Sequence, residues 1–120
     1  MGVVKIDKVM EQLAEVFGIR SISSQVYRVD TTFYLSGGLP LIIYFVIDGR
    51  TVSITDEGAL LESIYLPIEE DLNTQLLDRI GAKINHEDHV IMQTKVRKLT
   101  KDVFKYIEAL MDTSALYNED

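Results

Sequence analysis

The sequence contains no cysteine and no tryptophan, and only two prolines and two histidines among 120 residues. Without cysteine, disulfides, thiolate metal sites and a cysteine nucleophile are excluded. No apolar run approaches the ~20 residues that a membrane-spanning helix needs. The N-terminus lacks the basic region and apolar run of a signal peptide. These absences predict a cytoplasmic protein.

Motifs that mark common enzyme classes are also missing. The chain has neither a glycine-rich phosphate-binding loop nor the G-x-S-x-G turn of a serine hydrolase. The strand after Asp48 reads R-T-V-S-I-T and lacks the acid and lysine of a nuclease site. No strand interleaves aromatic and basic residues as single-strand-binding surfaces do. We therefore expect no catalytic residue, no cofactor and no direct contact with nucleic acid.

The composition is that of one folded domain covering residues 1–120. Hydrophobic residues make up 47% and charged residues 26% of the chain, values that are ordinary for a globular protein. Nineteen acidic and twelve basic residues give a formal net charge of −7. This charge disfavours binding to nucleic acid or to an anionic membrane, and it is compatible with a basic protein partner.

The segment from Leu41 to Ile64 organises the prediction. Asp48-Gly49 between two apolar runs is typical of a β-hairpin with a type I′ turn. A two-residue loop at this position places Ile47 opposite Arg50 and Phe45 opposite Val52. The alternation then puts five apolar side chains on one face, namely Ile43, Phe45, Ile47, Val52 and Ile54.

Apolar spacing and breaker residues predict the remaining elements. A helix over 4–17 ends at Gly18, and an extended segment covers 21–35 with a bulge or break at 30–32. After the hairpin come a short helix, a second helix over 69–80 that ends at Gly81, strands near 82–85 and 90–94, and a helix from Thr100 to about Leu116. The fold class is α+β: N-terminal helix, three-stranded antiparallel meander, two helices, small β-hairpin, C-terminal helix.

Thr55-Asp56-Glu57-Gly58 connects the hairpin to the next helix. Asp56 is well placed to cap that helix, because a carboxylate at a helix N-terminus accepts free backbone N–H groups. The alternative is a catalytic carboxylate pair at Asp56 and Glu57. Adjacent residues point in different directions, which favours the cap.

A hairpin that ends in T-D-E-G and continues into a leucine-rich helix resembles a family of short prokaryotic and phage proteins catalogued as a domain of unknown function. The resemblance continues through L-L-D-R-I-G at 76–81 and the final helix. It implies a small bacterial or phage protein of this fold, and it implies no activity and no catalytic residues. Thr31-Thr32-Phe33 departs from the Pro-Phe step that the family pattern has there.

Charge is distributed unevenly along the chain. Seven acids and no base lie between Asp56 and Asp78, whereas five bases and one acid lie between Lys95 and Lys105. Two solvated faces, self-pairing in a dimer, or docking of the acidic face on a basic partner each explain this pattern. The candidate partner-binding residues of the acidic face are Asp56, Glu57, Glu62, Glu69, Glu70 and Asp71.

His86-Glu87-Asp88-His89 contains both histidines of the chain. Two imidazoles with carboxylates between them are possible ligands of a divalent metal. The spacing is not that of the helical H-E-x-x-H motif, and no distant third ligand is evident. His86 and His89 are therefore weak metal candidates, and a solvated turn is the simpler interpretation.

The sequence favours a non-catalytic, acidic protein-binding module: an inhibitor, an antitoxin-like protein or an anti-defence protein of a phage or mobile element. Its expected partner is a host or bacterial protein, which could carry a basic nucleic-acid-binding surface. A metal-dependent hydrolase or nuclease-like enzyme is one alternative. A structural domain that forms homodimers, through the exposed sheet face (Ile42, Tyr44, Val46) or through an edge strand, is the other.

Overall fold

A computed structural model describes residues 5–66 and 70–117 and has the predicted α+β architecture. Its helices within these ranges are α1 (Ile6–Leu13), α2 (Ala59–Ser63), α3 (Gln75–Arg79) and α4 (Leu99–Ala115). Its strands are β1 (Gly18–Ser21), β2 (Val26–Tyr34), β3 (Pro40–Asp48), β4 (Thr51–Thr55), β5 (Lys83–Ile84) and β6 (Val90–Lys95). None of these helices is long and apolar enough to span a membrane.

All six strands form one antiparallel sheet in the order β1-β2-β3-β4-β6-β5. The prediction of a three-stranded meander beside a separate small hairpin is therefore wrong in two respects. The extended segment predicted at 21–35 contains β2, and an unpredicted strand, β1, precedes it. The two strands are joined by a serine-rich turn, in which Ile22 N–H and Ser23 N–H both donate to Val26 O. The second hairpin joins the main sheet through β6, which pairs with β4.

The central hairpin has the predicted faces and a different register. Asp48 pairs with Thr51 and Phe45 pairs with Ile54, so the loop is Gly49-Arg50. Only Gly49 has a positive φ, at 61°, which matches a type II′ turn with glycine at its first central position. The register differs from the prediction by one residue on each strand. Successive side chains of a strand point to opposite faces, so a shift of one residue on both strands leaves the same apolar side chains facing the core.

One face of the sheet carries the core, and the helices cover it. Val29, Ile43, Phe45 and Ile54 are fully buried and lie side by side on β2, β3 and β4. The α4 helix contributes the largest share from the other side, with Leu99, Val103, Tyr106, Ile107 and Leu110 buried. Tyr106 is fully buried, whereas Phe104 of the same helix is 44% exposed.

Helix boundaries differ from the prediction mainly at their ends. The α1 helix ends at Leu13 rather than at residue 17, so Val16 is exposed and Gly18 begins β1. The α3 helix is confined to Gln75–Arg79, whereas a helix over 69–80 was predicted. Gly81 does end it, with a left-handed φ of 75°. The α4 helix begins at Leu99, with Lys98 and not Thr100 at the capping position.

The predicted irregularity at 30–32 is a β-bulge. The pairing of β2 with β3 shifts between Asp30 and Tyr34. Thr31 is fully buried, and its hydroxyl donates to Leu41 O at 2.7 Å. Thr32 adopts a φ of 65°, which is unfavourable for a β-branched residue. The bulge therefore combines a satisfied buried threonine with a strained exposed one.

Candidate functional site

Asp56 lies at the centre of a buried hydrogen-bond network. It is 1% exposed, and its carboxylate accepts backbone N–H groups from Gly58 at 2.9 Å, Leu60 at 2.9 Å and Val90 at 2.8 Å. Leu60 lies in the first turn of α2, so the Asp56 carboxylate does accept a free N–H group at this helix start, as predicted. The capping position itself is occupied by Gly58 and not by Asp56. The bond from Val90 joins the turn to the beginning of β6. The carboxylate thus holds three chain segments together.

Tyr106 completes this network from α4. Its hydroxyl donates to Val90 O at 2.6 Å. Burial raises the pKa of the Tyr106 hydroxyl well above its ordinary value, and the nearby Asp56 carboxylate raises it further. The Tyr106 hydroxyl therefore stays neutral, and together with Asp56 it stabilises the packing of α4 against the start of β6.

The other acidic candidates divide by exposure. Glu57, Glu62, Glu70 and Asp71 are exposed on α2 and the segments that flank it, and Glu69 lies outside the described residues. Asp56 differs from all of these because its carboxylate points inward and is not available to a partner. Glu57 is also not a close partner of Asp56 in a catalytic pair, since its side chain is 54% exposed and contacts His89.

The two histidines are not brought together with further metal ligands. Asn85 Oδ1 accepts the N–H groups of Glu87 and His89 and so holds the turn. His86 is exposed, while His89 Nδ1 lies 3.8 Å from Glu57 Oε2. Within residues 5–66 and 70–117, no three His, Asp or Glu side chains are grouped so that they could hold a metal ion.

A groove of about 520 Å³ lies between the end of β6 and the helices α3 and α4. Its basic side chains come from three elements: Arg79 from α3, Lys95 from β6, and Lys98 and Lys105 from the start of α4. Thr51, Ile80, Met92, Gln93, Thr94 and Asp102 complete its lining. We call this feature the basic groove.

The basic groove is strongly cationic in a protein that is acidic overall. Four bases and one acid line it, a formal charge of +3 against −7 for the whole chain. The one acid, Asp102, accepts a hydrogen bond from the buried hydroxyl of Thr94. Across the described part of the chain, no lysine or arginine lies within 4.0 Å of a carboxylate. Among residues 5–66 and 70–117, the cationic groups of the groove are therefore not paired with a carboxylate.

Helix stability does not explain these lysines. The N-terminus of a helix carries a partial positive charge, so a lysine there is unfavourable by about 0.3–1 kcal/mol. Lys98 occupies the capping position of α4 and Lys101 its first turn, while the last turn has no base. Helix stability alone would favour acidic residues at the start of α4 and basic residues in its last turn. The positive charge of the groove and of the α4 dipole instead add together, which favours an anion.

The sheet face opposite the helices is mixed rather than apolar. Val46 is 39% exposed, and Ile42 and Tyr44 are half-buried. The register places Arg20, Arg28 and Tyr44 in one row across β1, β2 and β3. No single strand shows this combination of basic and aromatic side chains, so the sequence alone could not identify it.

Comparison with models of known protein families, with curated protein sequences and with solved structures found no significant match. The resemblance to a domain of unknown function stays a prediction. The basic groove is consequently assessed on its own geometry. The sequence identified its lysines as a basic segment but predicted neither the contribution of Arg79 nor the concave shape, both of which depend on tertiary packing.

Proposed function

We propose that this protein is a non-catalytic binding module, of the inhibitor or antitoxin-like kind, whose basic groove receives an acidic segment of a protein partner. The observation that carries the proposal is the convergence of Arg79, Lys95, Lys98 and Lys105 on one concave surface, where no carboxylate of the described residues is paired with them. Such charges attract an oppositely charged partner and set its orientation.

The size and lining of the groove also fit binding better than chemistry. A volume of about 520 Å³ is within the usual range of ligand sites, about 300–1,000 Å³. Its lining contains no histidine, serine or cysteine. Its one carboxylate, that of Asp102, is engaged by Thr94. The Thr94 hydroxyl that donates to Asp102 belongs to a residue only 8% exposed, so it is poorly placed to attack a bound molecule, which supports a binding role.

A second candidate uses the opposite charge. The exposed carboxylates of Glu57, Glu62, Glu70 and Asp71 meet no lysine or arginine among the described residues, so this acidic surface could dock on a basic partner, such as a nucleic-acid-binding protein. The basic groove has a defined concave lining that can orient a bound segment. For that reason the basic groove is the primary proposal.

Affinity capture from a host lysate with three charge-reversal variants tests the proposal. Lys98→Glu/Lys105→Glu changes the groove, and Glu62→Lys/Glu70→Lys changes the acidic surface. Lys8→Glu/Arg20→Glu is the matched control, because both residues are exposed, neither lines the groove, and Arg20 lies on β1 at the opposite end of the sheet. Replacing Lys98 by glutamate also favours the α4 dipole, so loss of capture cannot be attributed to a weakened helix.

We expect one salt-sensitive partner that the wild type and the control variant capture and the groove variant loses. Loss in the acidic-surface variant alone would assign binding to that surface instead. Equal capture by all variants, or none by the wild type, would contradict a charge-directed binding module.

A further inference from the structure

The strand that borders the basic groove has an open edge. The β5 strand is two residues long and pairs with β6 only through Lys83–Ile91 and Ile84–Val90. Gly81, with its left-handed φ of 75°, turns the preceding chain away into α3. In the described residues, β6 therefore has no strand partner on this side beyond Ile91.

The free backbone groups of this edge belong to residues that line the groove. In an antiparallel strand, successive residues direct their N–H and C=O groups to opposite sides. His89 O accepts from Asn85 N on the β5 side, and Val96 N donates to Arg50 O on the β4 side. By alternation from these two positions, Gln93 and Lys95 present their N–H and C=O groups to the open edge. Both residues line the basic groove.

We propose that the acidic segment of the partner binds in extended conformation as an added strand along β6. This inference rests on the proposed function, because it specifies how the basic groove holds that segment. Main-chain hydrogen bonds to Gln93 and Lys95 would supply affinity, as they do in other cases of strand addition. Acidic side chains on the helix side of the added strand would meet Arg79, Lys98 and Lys105. Those on the other face would meet Lys95.

Protection of the edge is the competing explanation for part of this pattern. Proteins place lysine on exposed edge strands to prevent unwanted pairing, and Lys95 could serve this purpose. The other three bases belong to α3 and α4, where they contribute nothing to the strand itself. Together the four positive charges repel an incoming strand that is also basic and attract one that is acidic, so they determine which kind of strand can bind.

An alternating peptide of glutamate and threonine, six residues long with both ends capped, is a suitable probe. Methylating the amide nitrogens of every second residue blocks one edge of the bound strand and leaves the other edge intact. We expect one methylated series to lose affinity by about tenfold or more, since a lost hydrogen bond of typical strength has about that effect, while the other series is nearly unchanged.

Amide hydrogen exchange provides a second readout on the protein. Binding of the unmodified peptide should slow exchange at Gln93 and Lys95. The amides of Met92 and Thr94, which face β4, are internal controls and should change little. A structural role for the lysines alone would not produce this alternation.

Equal affinity of the two methylated series, with binding still lost in Lys98→Glu/Lys105→Glu, would overturn strand addition and leave the anionic site intact. Absence of binding by the unmodified peptide would count against the proposed function itself. A dimer in sedimentation that the peptide cannot dissociate would place a second copy in the groove and would also overturn the inference.

Discussion

Replacing Asp56 by alanine should reveal how much the fold depends on one buried carboxylate. The substitution removes the acceptor of three backbone N–H groups, from Gly58, Leu60 and Val90. The bonds of Leu60 and Val90 are buried. A buried donor left unsatisfied costs about 1–3 kcal/mol. We therefore expect Asp56→Ala to lower the free energy of unfolding by about 3–5 kcal/mol.

Asp56→Asn separates the shape of the side chain from its acceptor capacity. One carboxylate oxygen accepts from both Gly58 and Val90, and the other accepts from Leu60. Asparagine can keep the first pair, but it turns an NH₂ group toward Leu60 N–H. The expected loss is about 1–3 kcal/mol, intermediate between wild type and alanine.

Urea denaturation followed by circular dichroism measures these differences, with Asp48→Ala as the matched control. Asp48 is exposed at the end of β3, and its replacement should change the free energy of unfolding by no more than about 0.5 kcal/mol. An Asp56→Ala variant as stable as Asp48→Ala would refute the structural role assigned to the Asp56 carboxylate.

Three further predictions use neighbouring or matched residues. Because burial raises the pKa of Tyr106, the contribution of its neutral hydroxyl to stability is complete below about pH 10 and decreases as the pH rises further. In urea titrations above pH 10, the free energy of unfolding of Tyr106→Phe should therefore decrease less steeply than that of the wild type, by up to about 1.4 kcal/mol per pH unit. Thr31→Val should lower the free energy of unfolding by about 1–3 kcal/mol because it breaks a buried hydrogen bond, whereas Thr32→Gly should be neutral or stabilising because it relieves a φ of 65°; comparing their thermal midpoints checks both. Thr113→Val should be neutral or stabilising by up to about 1 kcal/mol, since the buried Thr113 hydroxyl has no partner among the described residues, whereas Ser114→Ala should destabilise by about 1–2 kcal/mol, since Ser114 binds Ser36; chemical denaturation of this pair decides the matter.

The fold was predictable where local chemistry and periodicity act together. Alternation along β3 and β4 identified the buried faces correctly, although the two-residue turn lies one position further along the chain than predicted. Asp56 was identified as a cap from its place before a leucine-rich helix. Its third bond, to Val90, links positions 34 residues apart, and no local pattern predicts such a contact.

The basic groove shows the limit of sequence reasoning more clearly. Lys95, Lys98 and Lys105 are close in sequence and were recognised as a basic segment. Arg79 reaches the same space only because α3 packs against α4. The open edge exists because β5 stops after two residues, a length that the apolar pattern at 82–85 overestimated.

Calorimetric titration of the protein with the capped glutamate–threonine peptide at low salt tests the central claim most directly. The wild type and Lys8→Glu/Arg20→Glu should both bind one peptide saturably. Lys98→Glu/Lys105→Glu should bind it at least about tenfold more weakly, which is the effect of losing about 1.4 kcal/mol of binding free energy. Equal binding by all three proteins, or no saturable binding by the wild type, would contradict the assignment of the basic groove as the binding site.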